Sequence, residues 1–212
     1  MSMRPARIHV AAVAALVLTM RPLGASEETA TKTVERLNAA IAEILPQAEQ
    51  LGYAGRFQHL KPIIGDAFDV DFMAEKSLGR HWKDLSDEQK KQWADAFREF
   101  TIANYAANLD RNTGQRFELL GEEPAEHDTV VVRGRVVDPA AAPFDLNYRL
   151  HRTPKGPRII DVQFKGTVSE LALRRADFSS VVARDGFDAL LTTIRSRIAD
   201  LAAGRAKRPA PA

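Results

Sequence analysis

Apolar residues recur at helical spacing through residues 29–51, at Val34, Leu37, Ile41, Ile44, Leu45, Ala48 and Leu51, which predicts an amphipathic helix. Pro46 has no backbone N–H and should bend or break it. A short segment, 55–64, leads into a second helical piece over 69–78, closed by Gly79. Ser86 and Gln89 form a capping box, each side chain serving the other's backbone amide, and it opens the longest helix, about 86–109. At about 100° per residue, Trp93, Ala96, Phe97 and Phe100 gather on one side of that helix. Ile102, Tyr105 and Leu109 fall almost opposite, so its second half should be covered on both flanks.

After Gly114 the period changes to two. Residues 129–138 read as a strand with Val130, Val132, Gly134 and Val136 inward. Phe144, Leu146, Tyr148 and Leu150 alternate with Asp145, Asn147, Arg149 and His151. A turn over 153–157 leads to a returning strand carrying Ile160, Val162 and Phe164. Residues 169–185 and 186–203 return to helix. The prediction is an α+β domain over 26–204, with an antiparallel sheet of about four strands packed against several helices, in the order helices, sheet, helices.

Composition narrows the chemistry. The chain has 212 residues and no cysteine, which excludes disulfide scaffolds, zinc fingers, iron–sulfur clusters and thiol nucleophiles. Residues 1–25 read as a secretory signal, with Arg4 and Arg7 at the start, an apolar run from 8 to 20, and Leu23, Gly24 and Ala25 before a cut ahead of Ser26. That run is too short for a spanning helix, which needs about 20 apolar residues. Its removal takes away Arg4, Arg7 and Arg21 and lowers the formal charge from +2 to −1. A near-neutral surface excludes nucleic acid as a partner. An exported chain without cysteine suits a bacterial periplasm. Residues 205–212, with two prolines, read as a disordered basic tail.

Catalytic patterns are missing. The five histidines, His9, His59, His81, His127 and His151, show no ligand spacing, and no nucleophile elbow or phosphate loop is present. Asp69 and Asp71 read as a helix cap and a first-turn acid, because two residues apart on a helix they point different ways. His81 reads as packing beside Trp82, and His151 as a solvated side chain. No metal site, cofactor or catalytic residue is expected.

Phe68, Asp69, Val70, Asp71, Phe72 and Met73, followed by Leu78, Gly79, Arg80, His81 and Trp82, resemble the F-D-F-x-x-M…L-G-x-x-W signature of the periplasmic MlaC (toluene-tolerance) family. The resemblance continues through residues 85–89, through Phe97, Arg98, Glu99 and Phe100, and through Tyr105 and Leu109. Asp161, Val162, Gly166, Val168, Ser169, Arg175 and Phe178 resemble its Y-D-V…G-x-S…Y-R-x-x-F stretch, with Ile160 where the family has tyrosine. The string over 166–175, G-T-V-S-E-L-A-L-R-R, is closer to the hopanoid-associated branch called HpnM. The resemblance implies an NTF2-like cone with an apolar lipid cavity between sheet and helices. It implies a monomeric periplasmic carrier of phospholipid or a hopanoid between outer and inner membranes, without catalysis. It further implies an inner-membrane lipid transporter, either an ABC type bearing MCE domains or an RND type, and an outer-membrane partner.

A sixteen-carbon chain costs roughly 12 kcal/mol to expose to water, at about 0.8 kcal/mol per methylene, so a carrier must shelter it in an interior left partly vacant. Val132, Val136, Phe144, Leu146, Tyr148, Leu150, Ile160, Val162 and Phe164 are the candidate lining on the sheet. Trp82, Phe100, Tyr105, Leu171 and Phe178 are the candidates on the helices. Arg149, Arg152, Lys155 and Arg158 around one hairpin, with Arg174 and Arg175 after the sheet, could hold a phosphate head or dock an acidic partner. Two other classes stay open: a small enzyme using Asp161 or His81 as base, by analogy of fold, and a non-lipid adaptor of the cell envelope.

Overall fold

The computed structural model describes residues 29–205; the expected signal segment, and the expected tail beyond Arg205, lie outside the described residues. Thr29 accepts the Lys32 N–H and opens α1 (Ala30–Ile44). Pro46 ends it in a single 3-10 turn (Leu45–Gln47). The chain then re-enters helix as α2 (Ala48–Ala67), where only a short segment is expected over 55–64. Gly52 at φ 61° kinks α2, and Pro62 sits inside it. Its buried stripe, Arg56, Leu60, Ile64 and Ala67, is helical in spacing but begins on an arginine, which masks the pattern. That guanidinium donates to the carbonyls of Ala106 (2.7 Å) and Ala48 (2.6 Å), joining α2 to the last turn of the longest helix.

Asp69 caps α3 (Val70–Leu78) by accepting the Phe72 N–H at 3.1 Å, as the helix-cap reading requires. A 3-10 segment (Gly79–Asp84) leads to α4 (Asp87–Asn108). Both arms of the Ser86–Gln89 capping box are present, at 3.0 and 3.2 Å. Residues 101–104, 106 and 107 of α4 are all buried, so both flanks of its second half are covered.

Five strands follow in the order β1 (Arg116–Ala125), β2 (Thr129–Val137), β3 (Phe144–Thr153), β4 (Gly156–Phe164) and β5 (Val168–Ser169), every neighbouring pair antiparallel. About four strands were expected, three of them placed by residue (β2, β3 and β4); β1 and the two-residue β5 were not placed. In β1 a bulge between Leu119 and Gly121, together with Pro124, interrupts the alternation that would have revealed it. Two helices close the chain, α5 (Glu170–Asp185) and α6 (Phe187–Ala202). One continuous hydrophobic core joins helices and sheet. No helix among the described residues is long and apolar enough to cross a membrane.

Candidate functional site

The inner face of the sheet is graded. In register, Val130, Leu150 and Ile159 form one cross-strand row, and Val132, Tyr148 and Val162 the next. All except the half-covered Val130 are buried. α1 lies over this end: Thr33 Oγ1 donates to the Pro157 carbonyl (3.2 Å), Tyr148 donates to Asn38 Oδ1 (3.2 Å), and Thr31 is bonded to Glu122. Burial pushes the Tyr148 hydroxyl well above its ordinary value of 10.0, so it stays a neutral donor. From the α2–α3 junction, Phe68 bridges to Ile159, and the Asp69 N–H donates to the Ile159 carbonyl at 2.9 Å.

Toward the other end the cover thins. Phe117, Val136 and Phe144 make one row; Leu119 with Gly134, and Leu146 with Phe164, make another. Of these, Phe117, Leu119, Phe144, Leu146 and Phe164 are only half-buried. Here the structure leaves a contiguous apolar surface on the fold's inner side. Phe117 and Leu119 escaped the sequence reading together with β1; their alternation with Arg116 and Glu118, too short to stand out before Leu120, was the available signal.

Ile160 does not join this face in register. Arg149 is opposite Asp161 and Leu150 opposite Ile159, so Ile160 is the extra residue of a bulge and Ile159 takes the inward place. Ile160 is buried but lies outside the continuous core. Phe100 and Phe178, expected to line a cavity, instead belong to an aromatic cluster within the helical layer. Phe178 sits 5.2 Å from Trp93, 6.5 Å from Phe97 and 6.2 Å from Phe100, ring centre to ring centre. Tyr105 is half-buried with its ring 5.8 Å from Phe68, and Trp82 and Leu171 are half-buried at the core's margin.

Two hollows lie between helices rather than between sheet and helices. One, of about 270 Å³, lies between α2, α4 and the end of α6; the other, of about 330 Å³, lies between α1 and α2. None of the fourteen candidate lining residues borders either hollow. An apolar void forfeits dispersion contacts on every wall; the sheet's buried rows close on the helices, and at the thinly covered end the side chains stay partly exposed.

The candidate arginines are not brought together. Arg174 is largely internal: it donates to Glu170 (2.7 Å) and Thr101 Oγ1 (3.0 Å) and stacks over Phe97 and Phe100 at 5.3 and 5.2 Å. Arg175 lies over Gly79, where a Cβ would meet its Nε at 2.7 Å. Arg149 donates to Thr129 Oγ1 and the Glu126 carbonyl on the outer face, and Arg158 to the Gly65 carbonyl. Arg152 and Lys155 are exposed on the β3–β4 hairpin. His151 is not simply solvated; its Nε2 lies 2.8 Å from Asp69 Oδ2, and its ring is 4.8 Å from that of Phe72. This contact ties the sheet to α3.

Asp161 has a structural occupation. It accepts the Leu171 N–H at 3.0 Å and a hydrogen bond from Ser169, anchoring the start of α5 to β4. Burial raises its pKa above the ordinary 3.8, more than those hydrogen bonds lower it. The folded state therefore holds this proton more tightly than the unfolded chain. Its contribution to stability is present below pH 3.8 and declines as pH rises through the folded value. Asp161→Asn keeps an acceptor at the cap and should lie within about 1 kcal/mol of the parent at neutral pH. It should also lose that acid-side component, which thermal melts across the acid range would read. His81 lies on the Gly79–Asp84 segment, a different element. Among the described residues, no group of three or more His, Asp or Glu side chains could hold a metal.

Residues 31–196 match the family described as MlaC protein, from the start of α1 into α6. The chain belongs to the MlaC family. Among seven solved chains that match is a phospholipid-binding protein from Ralstonia solanacearum, determined in complex with a phospholipid. It is 26% identical, with a TM-score of 0.69, and the alignment covers 84% of this MlaC-family chain and 99% of that one.

Proposed function

We propose that the protein is a periplasmic lipid carrier that binds phospholipid or a hopanoid and performs no catalysis. The observation that carries this is the thinly covered end of the inner sheet face, where Phe117, Leu119, Phe144, Leu146 and Phe164 present contiguous half-buried apolar surface inside the fold. The Ralstonia relative, of the same fold over nearly its whole length and bound to a phospholipid, supports the same reading. An acyl chain or a fused-ring lipid would enter at this end and displace the loose contacts among these side chains. Burying it there recovers about 25 cal/mol per Å² of apolar surface removed from water.

On this reading residues 1–25 direct export and are removed, and the cargo passes between an inner-membrane transporter, of MCE-bearing ABC or RND type, and an outer-membrane partner. Arg174 is already committed to Glu170 and Thr101, so it is not assigned to a head group. A cargo that makes little demand on a phosphate grip, such as a hopanoid, suits that arrangement.

The test is organic extraction of the purified protein followed by mass spectrometry, after production in hosts with and without hopanoids. About one lipid per chain is expected, and its class separates the two cargoes. Protein that returns no lipid from either host would overturn the proposal.

A further inference from the structure

Arg56 is a cation taken inside the fold, only 6% exposed, and among the described residues it forms no ion pair. A buried arginine is normally paired, because a charge withdrawn from water needs an opposite charge or a full set of hydrogen bonds. Here Nε and Nη1 donate to the carbonyls of Ala106 and Ala48, which leaves Nη2 with no acceptor. Among the described residues no fully buried side-chain nitrogen lacks a partner, so Nη2 opens onto free space. That space is the hollow of about 270 Å³ between α2, α4 and the end of α6, which Arg56 lines.

Other walls of this hollow carry the opposite sign. Asp110 borders it, and α6 ends on it, so the negative end of that helix's dipole lies there as well. Tyr53 is a further wall. Burial first, and then Glu99, raise the Tyr53 hydroxyl above its ordinary 10.0 against the pull of Arg56, so it remains a neutral donor. Ala107 and Leu201 add apolar surface. A simple anion would gain Arg56 but be repelled by Asp110 and by the helix end. A simple cation would meet the reverse. A small molecule that carries both charges satisfies each wall. At about 30 Å³ per water, the hollow holds on the order of nine waters, or a ligand of similar size.

We infer that this hollow binds a small zwitterion, its carboxylate or phosphate on Arg56 and Tyr53 and its ammonium toward Asp110 and the end of α6. Both N–H groups of Nη2 remain to meet the anionic oxygens in charge-assisted hydrogen bonds, and the Tyr53 hydroxyl adds another donor. This chemistry has two sources, a free α-amino acid and a phosphoethanolamine head group. The hollow borders none of the candidate lipid-lining residues, so the site stands whether or not the sheet face holds lipid.

Titration calorimetry on the whole protein decides it, with glycine and phosphoethanolamine as probes and acetate, inorganic phosphate and ethanolamine as single-charge controls. At least one probe should bind saturably, and about tenfold or more tighter than each control. The tighter probe identifies the source. Asp110→Asn should abolish that preference by bringing the anionic control up to the level of the zwitterion. Tyr53→Phe should weaken the probe about tenfold, through loss of a hydrogen bond to a charged group. Both positions are only partly buried, so the two variants should keep the parent's circular dichroism spectrum and melt. No saturable binding of either probe at millimolar concentration would overturn the assignment. So would a control that binds as tightly as the probes, or a probe affinity that neither variant changes.

Discussion

Leu146→Glu is expected to yield a folded protein that no longer retains lipid. Leu146 lies on the inner face opposite Phe164, at the end where the side chains are only half-buried. A carboxylate there can still reach water, so the fold bears a small part of the cost. A bound hydrocarbon would cover that route and leave the charge desolvated without a partner, at a cost of several kcal/mol. At about 1.4 kcal/mol per factor of ten, affinity should fall by about a hundredfold or more. Val162→Glu makes the contrast. Val162 is buried in register with Tyr148, where a carboxylate would be cut off from water, and that variant should fail to fold. Circular dichroism melts and lipid extraction on the two variants separate these outcomes. A Leu146→Glu protein that keeps one lipid per chain would place the lipid elsewhere.

The difference between these two neighbouring strand positions also shows what the sequence could convey. Period-two alternation in 129–150 identified the inward residues of β2 and β3 correctly, because a half-buried sheet forces that period on any sequence. It could not distinguish Tyr148 under α1 from Leu146 beyond it, since coverage depends on where a helix from the start of the chain comes to rest. In β4 it placed Val162 and Phe164 correctly but not Ile160, since the bulge gives the inward place there to Ile159. α1 and α4 were legible through Pro46, the capping box at Ser86 and the two apolar sides of α4, whereas α2 was not, because its buried stripe begins on Arg56. β1 was not, since its bulge and proline break the alternation.

The motif residues that resembled the MlaC signature prove to be mostly structural. Asp69 caps α3 and meets His151, Phe68 bridges to Ile159, Asp161 anchors α5, and Phe97, Phe100 and Phe178 fill the helical layer. Such a signature reports the fold strongly and the seat of a ligand weakly. The proposed apolar seat is built from side chains such as Phe117 and Leu119, which any amphipathic strand could carry.

Phe178→Ala tests that division directly. Phe178 is almost fully buried where α4 and α5 meet, edge-on to Trp93, whose indole N–H donates to the Ala74 carbonyl at 3.0 Å. Truncating it removes the ring's burial and leaves a cavity the surrounding rings cannot fill, a loss of about 3–5 kcal/mol. For a domain of this size that lowers the melting temperature by on the order of 10 °C. The start of α5 should hold, because Asp161 fixes Leu171 and Ser169 to the sheet while Arg174 clasps Thr101. Below its lowered melting temperature the variant should therefore carry the same amount of lipid as the parent. Loss of lipid while the protein is still fully folded would instead put Phe178 in contact with the cargo, and the aromatic cluster would have to open when lipid binds.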